Sequence, residues 1–364
     1  MKKFIKHAIK SVLSFLTILW WLPQPLKQSS KPVAFVFKVS KWKHPYVPNF
    51  LDEYEVRFVP YGKKINILKW ELNKYRDKVF VIWGYSEEKD ILHYAEKNHI
   101  PVYRMEDGFI RSIGLGSMHT PPYSLCIDKK GMYFDSTAES DLEDLLNHFD
   151  FSQNPELLKQ AKKGIEMVKN LGISKYNHVE QKDAETIYGK KTKRRVLVIG
   201  QVEDDASILK GSKIRWTNNQ LVHLAKNENP DADIIYKPHP DVLTGRRPMQ
   251  SDPAEIKHLA KVIEQPLSLI DSFKTIDHVY TITSLAGFEA LLRGIPVTTA
   301  GAPFYSNWGL TDDRQIVARR IRKLSLEELF AAAYILYPRY ADPNTGEKLT
   351  MEETLERLFQ DLNK

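Results

Sequence analysis

The chain has 364 residues, 42% of them hydrophobic and 27% charged, which is enough for two domains with a core each. Its single cysteine, Cys126, excludes a disulfide framework and fits a reducing compartment. The formal charge of +7 suits an anionic membrane or nucleic acid, but scattered basic residues and the lack of a zinc-finger or RNP signature argue against nucleic acid.

In chain order, residues 1–30 read as a membrane-interfacial anchor. Lys2, Lys3, Lys6 and Lys10 precede an apolar run, Ser11 to Leu22, that carries Phe15, Trp20 and Trp21. That run is twelve residues long, short of the ~20 that span a bilayer. No small-residue cleavage site follows it, so it does not read as a signal peptide. Lysines ahead of a Leu/Trp-rich helix suit the inner leaflet, and a helix docked on the protein's own core is the competing reading.

From there strands and helices alternate. Strands are expected near Val33–Val39, Val79–Trp83, Val102–Met105, Val196–Ile199, Ile234–Tyr236, Val279–Thr281 and Pro296–Thr299. Helices are expected near Asp141–Phe149, Pro155–Leu171, Asn218–Asn227, Leu267–Phe273, Ala286–Leu292 and Ser325–Tyr334. The alternation predicts an α/β fold with parallel sheets. The polar, basic stretch Gln181–Arg195 is the expected linker between two Rossmann-like units, residues 31–190 and 191–364.

Four segments at expected strand ends carry polar chemistry where no core requires it. Glu106-Asp107-Gly108-Phe109 pairs two acids before a glycine, and Arg111 follows. A carboxyl in such a partly desolvated turn exchanges protons near neutrality, and an Asp-Gly turn with Arg111 paired to an acid is the plainer reading. Gln201-Val202-Glu203-Asp204-Asp205 puts three acids after the strand Val196–Ile199, either as reacting groups or as an N-cap by Asp204 or Asp205. Lys237-Pro238-His239-Pro240 aims an imidazole between two prolines beside a cation, a pattern that suits a phosphate as His⁺ or as an N–H donor. A metal is disfavoured there, since no His or Cys stands at ligand spacing. Thr283-Ser284-Leu285 opens a helix whose free N–H groups form a phosphate seat, and Glu289 within it is placed to accept from ribose hydroxyls. An ordinary cap with a solvated Glu is the alternative.

These motifs, with Pro121-Pro122-Tyr123-Ser124-Leu125, Ser174-Lys175-Tyr176-Asn177 and Gly287-Phe288-Glu289-Ala290-Leu291-Leu292, resemble the retaining β-Kdo glycosyltransferases of bacterial capsule biosynthesis. The likeness runs from about Val79 to Pro343 and is nearest to the second module of the two-module enzymes, of which this chain carries one module. A weaker likeness links it to bacterial sialyltransferases. The resemblance implies a glycosyltransferase-B arrangement, two Rossmann-like halves facing a cleft. In that arrangement the N-terminal half would hold a Kdo-terminated glycolipid acceptor and the C-terminal half the CMP-Kdo donor.

CMP-Kdo is β-configured, so a β product requires retention, and two inversions at C2 require a carboxylate nucleophile. The resemblance places that nucleophile on Asp205. Glu106 is the expected base toward the acceptor, and Asp107 holds the turn. His239, with Lys237, Thr283, Ser284 and Leu285, is expected to compensate the leaving phosphate, and Glu289 to contact the ribose. Arg111, Lys175, Lys210 and Arg215 are candidates for the Kdo carboxylate, with Gln201 also at the substrate. No cofactor or metal is expected. The implied location is cytoplasmic, peripheral at the inner membrane, with other capsule assembly proteins as further partners. Two rival readings are an inverting, sialyltransferase-like enzyme and a non-catalytic protein that binds CMP-sugars or polysaccharide.

Overall fold

Short apolar runs flanked by turn residues build two six-stranded sheets. A computed structural model describes residues 31–364 except Glu88, Tyr176 and residues 178–181. The anchor expected at residues 1–30 lies outside the described residues. Among those described, no helix is long and apolar enough to cross a membrane.

The first sheet holds β1 (Val33–Phe37), β2 (Glu55–Phe58), β3 (Lys78–Trp83), β4 (Val102–Asp107) and β5 (Ser124–Asp128). The second holds β6 (Arg195–Ile199), β7 (Asp233–Lys237), β8 (Lys261–Val262), β9 (His278–Thr281), β10 (Val297–Thr299) and β11 (Asp312–Asp313). A last strand, β12 (Pro338–Tyr340), returns to the first sheet, whose order is β12-β5-β4-β3-β1-β2. The expected boundary at residue 190 thus falls between the sheets, but the C-terminal stretch does not stay on its own side. β12 pairs antiparallel with β5, and Tyr337 donates to Asp128 Oδ2 at 2.8 Å.

The second sheet runs β11-β10-β9-β6-β7-β8 and is parallel throughout. In the first sheet only β5 and β12 run against their neighbours. β1 (VAFVF) and β6 (RVLVI) are buried at every position, as parallel strands covered on both faces require. The halves also share a core, where Phe109 of the first packs at 4.8 Å against Phe304 and 5.5 Å against Tyr334 of the second.

Register decides what meets at the sheet edges. Ile199 of β6 sits opposite Lys237 of β7 and Thr281 of β9, so the three chains leave the sheet side by side. The strand order reverses at β6, with β7 on one side and β9 on the other. That is the switch point where open α/β sheets take ligands. The first sheet repeats the pattern around β1, with β2 and β3 beside it.

Candidate active site

The carboxyl ends of β4, β6, β7 and β9 converge on a cleft of about 350 Å³ between the sheets. Glu106 and Asp107 line one wall, Gln201, Asp205, His239, Thr283, Ser284 and Leu285 the other, and Lys175 and Arg247 supply cations. A second cavity of about 590 Å³ adjoins it through Leu115, Lys175, His239, Ser284 and Leu285, and adds Lys237 and Glu289. Eleven of the residues given a role from the sequence, Asp107 among them, therefore meet in one connected space.

Glu106 and Asp107 are neighbours with opposite fates. Asp107 takes Lys43 Nζ at 2.8 Å on Oδ1 and Arg111 Nε at 2.9 Å on Oδ2. Burial opposes its charge, but these two cations hold its carboxyl below the usual range. Glu106 has no such clamp. Burial, with the Asp107 charge beside it, pushes its carboxyl up to about 7. Gly108 is required by close approach, since a Cβ there would come 2.7 Å from Ser124 Cβ. The pair can then do two jobs, a fixed anion beneath and a proton acceptor near neutrality above.

Asp205 is the N-cap of the helix Ala206–Gly211. Its Oδ1 accepts from Ser207 N–H at 2.9 Å and from Ser207 Oγ–H at 2.7 Å, while Oδ2 has no protein partner among the described residues. The cap and the reacting-group readings therefore fall on one residue. Of the other two acids, Asp204 pairs with Arg247 at 2.6 Å, and Glu203 accepts from Asn218 N–H and Ser251 Oγ–H.

His239 is the N-cap of Pro240–Leu243. Its Nδ1 accepts the Asp241 N–H at 3.1 Å, so the ring proton sits on Nε2. Burial lowers its pKa, which, with Nδ1 already accepting, favours the neutral N–H donor over the His⁺ form, the other expected option. Burial also brings Lys237 down to about 8.

Ser284 caps the helix Leu285–Leu291 by accepting from Ala286 N–H at 3.2 Å. Glu289, within that helix, is buried rather than solvated. Its Oε1 accepts from Lys175 N–H at 3.0 Å, and its Oε2 is buried without a partner among the described residues. Burial raises its pKa.

Two expectations change and a third is refined. Arg111, a candidate for a substrate carboxylate, is fully buried, engaged with Asp107 and lines neither cavity. Lys210 turns away from the cleft, its Nζ 4.7 Å from the Tyr85 ring centre and 3.8 Å from Asp135. Gln201 reaches the cleft with its amide oriented by Thr283, accepting from its N–H at 2.8 Å and donating one N–H to its hydroxyl at 3.1 Å. Arg247 and Lys43 carry no mark in the sequence. Each lies far along the chain from the acid it pairs with, so no spacing announces it. Among the described residues, no group of three or more His, Cys, Asp or Glu side chains converges to hold a metal ion.

A family model described as capsule polysaccharide biosynthesis protein matches residues 78–340. The chain belongs to that family. Among curated proteins, the lipopolysaccharide-processing protein LpsZ of Rhizobium meliloti is 42% identical over 333 residues. That match covers 92% of this chain and 76% of LpsZ. The capsule polysaccharide modification protein LipA of Neisseria meningitidis is 38% identical over 327 residues, which is 89% of this chain but 45% of LipA. The chain thus spans less than half of that relative's length.

Two solved structures of Thermosulfurimonas dismutans KpsC are similar throughout. The β-Kdo 2,4 transferase is 34% identical with a TM-score of 0.77, covering 92% of this chain and 100% of that one. The β-Kdo 2,7 transferase is 32% identical with a TM-score of 0.71, covering 91% and 100%. This capsule biosynthesis protein is therefore a homologue of Kdo transferases, with a glycosyltransferase-like α/β fold.

Proposed function

We propose that the cleft transfers Kdo from CMP-Kdo to a Kdo-terminated glycolipid with retention at C2, through a covalent intermediate on Asp205. The observation that carries this reading is the pairing of Glu106 and Asp205 across one cleft: a carboxyl near neutrality on one wall, a carboxylate oxygen without a protein partner on the other.

In the first step an Asp205 carboxylate oxygen bonds to C2 of the sugar. The C2–O bond to phosphate breaks, and its electron pair leaves with CMP. In the second step the acceptor oxygen bonds to C2, the ester C2–O bond breaks back to the Asp205 carboxylate, and Glu106 takes the hydroxyl proton. Each step inverts C2, so the product keeps the donor's β configuration.

The Nε2–H of His239 and the Ser284 end of its helix meet the leaving phosphate. The cytidine occupies the second cavity, which Glu289 and Lys237 line, and the buried, unpartnered Glu289 Oε2 is the acceptor assigned to a ribose hydroxyl once the nucleoside is seated. Of the cations considered for the Kdo carboxylate, Lys175 is the one we assign, because it borders both cavities. In this reading the acceptor enters from the first sheet. Four lysines ahead of the apolar run in residues 1–30 support a peripheral place at the inner leaflet, and other capsule assembly proteins are the further partners of this reading. Incubation with CMP-Kdo and a synthetic Kdo-terminated glycolipid tests it. CMP release with a β-linked product is expected; an α-linked product, or no CMP release, contradicts it.

A further inference from the structure

The helix Ile65–Leu72, which connects β2 to β3, is apolar on two sides. Ile65, Leu68 and Leu72 join the core around Phe35 and Phe80, the stripe that packing on the sheet requires. Ile67 and Trp70, three residues apart and so on one side, are 50% and 62% exposed. Tyr61, just ahead of the helix, is 55% exposed, and its hydroxyl donates to the Lys38 carbonyl at 2.8 Å. Trp70 is the one exposed tryptophan among the described residues. Large apolar side chains grouped on a surface mark a contact, where single ones do not.

Charge narrows what that contact meets. Residues 61–78 hold six lysines and arginines against two acids. One of those acids, Glu71, is buried between Arg57 at 3.4 Å and Lys74 at 3.0 Å. Lys64 and Lys69 are exposed, and Lys74 Nζ lies 3.4 Å from the Trp70 ring centre. Tryptophan and tyrosine among lysines suit a bilayer interface, where the rings sit at headgroup level and the ammonium groups meet lipid phosphates. The competing cover is the chain's own N-terminal segment, and charge opposes it. Residues 1–30 hold five lysines and no Asp or Glu, so like charge would face like. That segment joins the first sheet beside this helix instead: Val33 N–H donates at 2.9 Å to the carbonyl of Asp77, three residues past Lys74.

We infer that this helix docks the first half on an anionic lipid surface, with Ile67 and Trp70 in the interface and Lys64 and Lys69 at the phosphates. The helix returns from the cleft edge of the sheet, where β2 ends, to the opposite edge, where β3 begins. Lying flat on the bilayer, it keeps the cleft edge of that sheet beside the membrane. One short anchor binds reversibly, and a second contact on the same surface adds avidity and fixes orientation. The docking goes beyond the proposed transfer reaction and does not depend on it, so it is measured without CMP-Kdo.

Cys126 is the chain's single cysteine and is buried, so Ile67→Cys in the full chain offers one accessible thiol to an environment-sensitive fluorophore. With vesicles of phosphatidylglycerol and phosphatidylcholine in equal parts, the label at position 67 is expected to shift to the blue. With phosphatidylcholine alone it should stay as in water. The same label on Ile316→Cys, a position 88% exposed on the second half, should not respond. Flotation of the unlabelled chain with the anionic vesicles gives the affinity. Trp70→Ser should weaken binding about tenfold. Lys64→Gln with Lys69→Gln should weaken it about tenfold or more, a difference that high salt removes. Melting without vesicles should be unchanged in each. A label at 67 that stays in water on vesicle-bound protein overturns the inference, as does a shift at 316 in its place, wild-type affinity in Trp70→Ser, or no binding by wild type. So does a Trp70→Ser variant that melts lower and binds vesicles better, the result if residues 1–30 cover the helix. A Trp70→Ser variant that keeps its vesicle affinity but loses a dimer in solution assigns the face to a second copy and overturns the inference too.

Discussion

Glu106-Asp107 ends a strand of the first sheet and Asp204-Asp205 follows a strand of the second. In each pair one acid is held by a cation while the other faces the cleft. The surroundings differ. Asp107 is gripped in the interior by Lys43 and Arg111, and its fixed charge joins burial in raising Glu106 to about 7. Asp204 meets Arg247 at the surface, and Asp205 is oriented by hydrogen bonds from Ser207 instead. The same two-acid pattern thus yields a proton acceptor when buried beside a clamped anion, and an aimed oxygen when set at a helix start.

Substitutions can break that comparison. The largest effect is expected at Asp205→Asn. Asparagine caps a helix as well as aspartate, so melting should be unchanged while transfer falls at least about a thousandfold, a barrier of roughly 4 kcal/mol. A variant that keeps a tenth of the wild-type rate would remove Asp205 from the nucleophile role. Asp107→Asn should instead act on folding. It leaves Lys43 and Arg111 buried without a counter-charge, a loss of about 3 kcal/mol or more in denaturant unfolding. Unaltered stability would show that the interior clamp is not what separates the two pairs.

Glu106→Gln should lower transfer about a hundredfold while donor alone still releases CMP. Its pH signature has a definite sign. The base must be ionised, so the wild-type transfer rate climbs as pH rises through about 7, and Glu106→Gln loses that limb. Because the Asp107 charge raises Glu106, the surviving activity of Asp107→Asn should have its limb at lower pH. A limb that stays in place would uncouple the two acids.

His239→Ala should weaken CMP binding by about 1.5–3 kcal/mol in calorimetry, the worth of a hydrogen bond to a charged group. Full CMP affinity with a collapsed rate would make His239 a proton-transfer residue. The smallest effect belongs to Asp204→Asn. An exposed ion pair contributes about 0–1 kcal/mol, so rate and melting should stay near wild type. A large loss would mean that the second pair is as interdependent as the first.

Much of this arrangement is legible in the sequence because parallel strands buried on both faces read as bare apolar runs, as Val196–Ile199 does. Polar residues directly after such runs have no packing reason to be there, and that contrast alone marks Gln201, His239 and Thr283. Elements that lack it stay hidden. β2 carries Glu55 and Arg57 on a half-buried edge, β5 is antiparallel, and β12 opens on Pro338 and lasts three residues. The helix Met351–Leu362 does carry a signal, the Thr350–Glu353 capping box, ahead of apolar positions at helical spacing. Ion pairing is the least legible layer. Arg111, four residues after Asp107, leaves two readings open, a ligand cation or a partner of that acid, and the structure shows the second, whereas nothing near Asp204 in the chain points to Arg247.

Whether Asp205 carries the sugar covalently is decided by donor-only trapping. The protein is mixed with CMP-Kdo in the absence of acceptor, quenched in acid, digested and analysed by mass spectrometry. One Kdo residue is expected on the peptide that contains Asp205, formed with release of CMP and absent from Asp205→Asn. A protein that turns over with acceptor yet never carries the sugar, or carries it on another residue, would remove Asp205 as the nucleophile.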